Sequence, residues 1–129
     1  MGADEAVREG LIGALAAEPA FAGVAGLGLE ATAGSLPQVD VAWPLVSDWG
    51  TKSETGRELR TLVTLRVAKG QRARLPAMVE AAERGGVSLG GVIGGWSVGS
   101  AVLMRTQIID ARDGVRVARI EHRVRVLEN

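Results

Sequence analysis

Two stretches constrain this chain more than any others: WGTKSETGRELRTLVTLRV (residues 49–67) and IIDARDGVRVARIEHRVRVLE (residues 108–128). In each, an apolar–polar alternation runs into or out of a polar turn that contains glycine. This is the pattern of an antiparallel hairpin, because side chains alternate between the two faces of a strand. Over residues 57–68, Leu59, Thr61, Val63, Leu65 and Val67 share one face, while Glu58, Arg60, Thr64 and Arg66 share the other. In the last strand Ala118, Ile120, Val124 and Val126 point inward, and Arg119, Glu121, Arg123 and Arg125 point outward. The Asp113-Gly114 pair before it supplies the positive φ that a tight hairpin turn needs.

Helical periodicity occurs twice. Val7, Leu11, Ala14 and Leu15 form one face of a first helix, with Asp4 as its capping residue. Glu18-Pro19 ends that helix, since the residue before proline is pushed out of the helical region. Leu75, Met78, Val79 and Ala82 fall at i, i+3, i+4 and i+7 of a second helix, with Pro76 in its first turn. Arg84 and then Gly85-Gly86 read as its cationic last turn and glycine stop. Residues 20–34 read as a helical turn followed by loop. Residues 40–49 read as a strand with an irregular or edge start at Pro44. The glycine-rich 85–95 connector leads to a strand in which Trp96, Val98, Val102 and Met104 alternate with Ser97, Gly99 and Arg105. The expected fold is α+β with the order α-β-β-α-β-β: a four-stranded, mainly antiparallel sheet with two helices on one face.

Composition removes several function classes. The 129 residues suit one domain with a single core, read here as spanning 1–129. Fifteen basic and 15 acidic residues cancel, which argues against nonspecific binding to nucleic acid or a membrane surface. With no cysteine, neither a disulfide scaffold nor a thiolate metal site can form. The acidic N-terminal MGADEAVREG has no apolar core of a secretory signal, and the apolar runs are too short to span a membrane.

Each feature that suggests chemistry has a plainer explanation. The glycine pairs at 85–86, 90–91 and 94–95 follow a helix and precede a strand, the reverse of a phosphate loop. Gly23, Gly26 and Gly28 fail the dinucleotide fingerprint in spacing. Asp110 and Asp113 suit a turn, since a calcium loop needs more oxygen ligands and a distal glutamate. His122, the only histidine, falls at an inward strand position and reads as packed structure rather than as a general base. No acidic or histidine cluster has metal-ligand spacing. No catalytic, cofactor-binding or metal-ligating residue is therefore assigned. Trp43, Trp49 and Trp96 are expected to supply most of the bulky core, though Trp49, beside a polar turn, reads equally well as an interface anchor. The row Arg119, Glu121, Arg123 and Arg125 is either a solvated strand face or a docking surface. A sheet covered on one face only leaves a face and edges to shield, which oligomerisation would do.

Taken in order, these elements resemble the tail-completion family, the tail terminator or head–tail joining proteins of siphophages and phage-derived gene transfer agents. The likeness runs over about residues 4–128. It is carried by the entry Trp49-Gly50-Thr51-Lys52, the strand from Glu58 to Val67, and Asp113-Gly114. It departs from the family's usual look at residues 93–104, which are poor in charge and rich in glycine, and is loose over residues 20–34.

The resemblance implies a homo-oligomeric ring, typically hexameric, that caps the head-proximal end of a tail tube. Such a ring stops tube polymerisation and meets neck or stopper proteins, and DNA passes through its lumen unread. It implies a virion-like particle assembled in the bacterial cytoplasm, with no enzymatic role, no cofactor and no membrane partner. The expected assembly contacts are Trp49, the loop residues Thr51, Lys52, Ser53, Glu54 and Thr55, and Arg119, Glu121, Arg123 and Arg125. The competing readings are another neck or tail component, such as a stopper or tube subunit, and a small cytosolic α+β ligand-binding module.

Overall fold

In the computed structural model, residues 1–27 and 35–129 are described. The last part of the loop expected over 20–34 lies outside the described residues, as does Gly28. The chain forms helix α1 (Ala3–Ala16), strands β1 (Gln38–Val41), β2 (Leu45–Asp48) and β3 (Gly56–Val67), and helix α2 (Leu75–Val87). It ends with strands β4 (Val92–Ile93), β5 (Trp96–Asp110) and β6 (Arg116–Glu128). Short 3₁₀ turns cover Pro19–Phe21, Lys69–Arg74 and Arg112–Gly114.

The α+β class holds, but among the described residues the sheet has six strands rather than four, in the order β1-β3-β6-β5-β4 with β2 also pairing β3. All of these pairings are antiparallel. One reason for the difference is Pro44, which has no N–H to give a ladder and divides the expected first strand in two. The resulting β1 and β2 follow one another along the same side of β3. The other is the two-residue strand β4, too short to show any period. Its Val92 and Ile93 pair Ser97 and Trp96.

The core lies between the two helices and one face of the sheet. Val7, Leu11 and Leu15 from α1 and Leu75, Met78, Val79 and Ala82 from α2 are buried in it. They meet Leu59, Val63, Leu65 and Val67 of β3 and Ala118, Ile120, Val124 and Val126 of β6. These are the residues that the helical and strand periodicities select. At about 25 cal/mol per Å² of apolar surface, each buried Leu or Val contributes about 1.5–3 kcal/mol.

Three local expectations change. Gly2 occupies the capping position of α1, and Asp4 lies inside its first turn. There its Oδ1 accepts from the Glu5 N–H at 2.9 Å. Gly85-Gly86 does not stop α2, which continues to Val87 with both glycines buried. Strand β5 carries irregularities between Val98 and Ser100 and between Leu103 and Arg105. Each bulge adds a residue and reverses the facing of the residues after it. The helix-side residues are consequently Trp96, Val98, Ala101, Leu103, Thr106 and Ile108, in place of Val102 and Met104, and of these Trp96, Val98 and Ala101 pack into the core. At the β5–β6 turn, Asp113 (φ 62°) and Gly114 (φ 76°) take the left-handed conformation expected of them.

Candidate assembly interface

The sheet face away from the helices carries Glu58, Arg60 and Leu62 from β3, Arg105, Gln107 and Ile109 from β5, and the alternate residues of β6. Its charges are organised around two glutamates. Glu121 pairs with Arg105 at 2.8 Å and with Arg60 at 3.6 Å. Glu58 accepts from the Arg125 Nε at 2.9 Å, with Arg123 at 4.0 Å. The row Arg119, Glu121, Arg123 and Arg125 is therefore not uniformly solvated. Glu121, Arg123 and Arg125 are half-buried in cross-strand ion pairs, and Arg119 alone is exposed.

The structure joins the row to the hairpin that carries the other expected contacts. The Arg125 guanidinium lies 5.3 Å from the centre of the Trp49 ring, a cation–π contact that orients both. The Glu128 N–H donates to the Thr55 carbonyl at 2.8 Å, tying the loop to the end of β6. Within the loop, the Thr51 N–H donates to the Glu54 carbonyl at 2.9 Å, and Thr51 Oγ1 accepts from the Glu54 N–H at 3.2 Å. The loop is a self-bonded turn, not an open segment, and it presents Lys52, Ser53 and Glu54 to solvent.

The tryptophans divide. Trp96 is buried, and its Nε1 donates to the Met1 carbonyl at 3.1 Å. Trp43 is 60% exposed, contrary to the expectation of a core role, and sits under the Arg8 guanidinium at 4.8 Å. With Leu45, Leu62, Arg60, Arg105 and Arg119 it borders a cavity of about 400 Å³ on the open face. Composition could not place Trp43 there. The nearest signal was the adjacent Pro44, which forces that segment to an edge. Among the described residues no group of three or more histidines or carboxylates could hold a metal ion, and no helix is long and apolar enough to cross a membrane.

His122 lies on the opposite face, wholly buried beneath α2. Its Nε2 lies 3.0 Å from the Glu83 carbonyl. A carbonyl can only accept, so Nε2 carries the proton, and Nδ1 is left without a partner. Burial is the largest influence on this imidazole and holds it below its usual value of 6.5, outweighing the Glu83 carbonyl and the Glu83 charge, both of which favour protonation. The unfolded chain therefore takes up this proton at higher pH than the folded one. Stability is fully present above pH ~6.5 and falls as pH drops below it, by at most ~1.4 kcal/mol per unit. Thermal unfolding between pH 7 and 5 is expected to show this loss, and His122→Gln is expected to flatten it. Equal slopes in the two proteins would disprove it.

No protein-family profile matches the sequence, and no curated protein matches it. The fold is similar to that of a chain in the virion of a native gene transfer agent particle. The TM-score is 0.79 at 16% identity, over 98% of this chain and 99% of that one. At that identity the likeness is one of fold.

Proposed function

We propose that this chain is a structural subunit of a phage-like particle. Its role is that of a tail terminator: a ring, most simply of six copies, that closes the head-proximal end of a tail tube and joins it to the neck. The observation that carries this reading is the end-to-end likeness to a chain of a gene transfer agent virion, with neither protein leaving a substantial segment unmatched. The open sheet face and edges fit a subunit completed by its neighbours. The role is adhesive and non-enzymatic, with tail tube and neck or stopper proteins as partners. DNA passes through the lumen without sequence recognition, and assembly takes place in the bacterial cytoplasm.

The decisive experiment mixes purified protein with its tail tubes and examines the product by native mass spectrometry and electron microscopy. Six-membered rings seated on tube ends are expected. A protein that stays monomeric with tube ends available would sink the proposal. Rings found along the tube, or only on the head, would favour a tube subunit or a stopper. Replacing Thr51–Gly56 by Asn-Gly, close to the minimal hairpin connection, is expected to leave the subunit folded while abolishing tail attachment to heads. Normal particle yield from that variant would remove the loop from the interface.

A further inference from the structure

Among the described residues the sheet has two open edges. On one side β2 pairs only β3, and all four of its residues are exposed, Leu45 at 75% and Val46 at 45%. On the other, β4 covers only the Trp96–Ser97 end of β5. Beyond it β5 pairs β6 alone, and Ile108 is 56% exposed. A strand edge carries unpaired N–H and C=O groups that another strand satisfies best.

The two edges are complementary in charge. Strands β1 and β2 carry Asp40 and Asp48 and no cation of their own, whereas β5 carries Arg105. The one carboxylate of β5, Asp110, is held by Arg116 at 2.6 Å. Asp48 and Arg105 also have partners within the subunit, Arg57 at 3.4 Å and Glu121 at 2.8 Å, so the match in charge is secondary to the match in register. They also match residue by residue. In β2, Leu45 lies on the open face, as its partner Arg60 does, and Val46 on the helix side with Leu59. In β5, Ile109 lies on the open face opposite Val117, and Ile108 on the helix side opposite Ala118. Setting Leu45 against Ile109 in an antiparallel pair places Val46 against Ile108, Ser47 against Gln107 and Asp48 against Thr106. Apolar meets apolar on both faces, polar meets polar, and the next position brings Trp49 opposite Arg105.

We infer that β2 of one copy pairs antiparallel with the distal half of β5 of the next in this register, so that the sheet continues from subunit to subunit. The inference rests on the ring reading above and names its joint. Self-pairing of either edge would leave the other edge open. The head-to-tail joint uses both edges and repeats, closing into a ring when the rotation between copies permits.

The absence of cysteine makes the joint directly testable. Directly opposed residues have Cβ atoms about 4.5–5.5 Å apart, close enough for a disulfide or a short cross-linker. Val46→Cys and Ile108→Cys both alter exposed side chains, so each variant is expected to melt close to the parent. Under mild oxidation, with and without tube ends, neither single variant is expected to cross-link alone. Their mixture should give a dimer, and the double variant a ladder ending at the ring size. Cross-linking of Ile108→Cys with itself overturns the head-to-tail joint. Rings that form without cross-linking in the mixture overturn the joint and leave the terminator reading standing. Cross-linked oligomers that fail to cap tubes do the reverse, and absence of any oligomer overturns both.

Discussion

Gly86→Ala is expected to destabilise the subunit by about 3 kcal/mol and to lower its Tm by roughly 10 °C. Glycine-to-alanine in a helix ordinarily stabilises, by about 0.5–1 kcal/mol, so the sign here is decided by packing. A Cβ at Gly86 would overlap the His122 ring, which is wholly buried and fixed by its bond to the Glu83 carbonyl. A rigid ring cannot swing aside as a flexible side chain does, so α2 must lift from β6, and contacts along the interface are lost with it. Gly13 provides the control. It is exposed in α1 with open space where a methyl group would stand, and Gly13→Ala should raise stability by the ordinary helix increment. Adding His122→Ala to Gly86→Ala should restore part of the loss, a coupling that a double-mutant cycle measures. A Gly86→Ala protein as stable as the parent would show that the helix-to-sheet spacing is not set by this contact.

This site also shows where sequence reasoning reached its limit. Two glycines after Arg84 carry the local signature of a helix stop, yet they lie inside the helix because β6 passes too close for any side chain at Gly86. That cause is long-range, so no window around residue 85 contains it. Elements whose signal is local were legible. The alternation through Leu59–Val67 gives β3 and its buried face, and Leu75, Met78, Val79 and Ala82 give α2. Strand β5 was legible as a strand but misread in facing, because two bulges break the period-two rule without altering composition. Of the candidate interface, the outward row and the turn were visible as residue types. The pairing of Arg125 with both Trp49 and Glu58, and the two open edges, depend on strand order, which the sequence pattern does not determine.

Glu58→Lys is expected to lower the stability of the isolated subunit by about 2–3 kcal/mol in low salt, with part of the loss recovered as salt screens the new repulsion. The Glu58 carboxylate is three-quarters buried and accepts from Arg125 at 2.9 Å, with Arg123 at 4.0 Å. The Arg123 Nε is itself buried without a hydrogen-bond partner. Lysine at this position would put three cations on neighbouring strands where one anion now holds two together. For the same reason, changing Arg123 and Arg125 to Glu would crowd three carboxylates and strip Trp49 of its partner. That double variant is expected to lose stability as well as assembly, unlike the near-neutral effect that a solvated surface row would give. Arg119 separates the two roles. It is exposed on the rim of the cavity, and no described carboxylate pairs with it. On the proposed ring reading, Arg119→Glu should therefore leave the Tm within a degree or two while reducing ring formation or tail joining, because a charge at such an interface would set partner choice without supporting the fold. If Arg119→Glu assembles normally while Glu58→Lys melts early, the outward face holds the subunit together and contributes nothing to its joints.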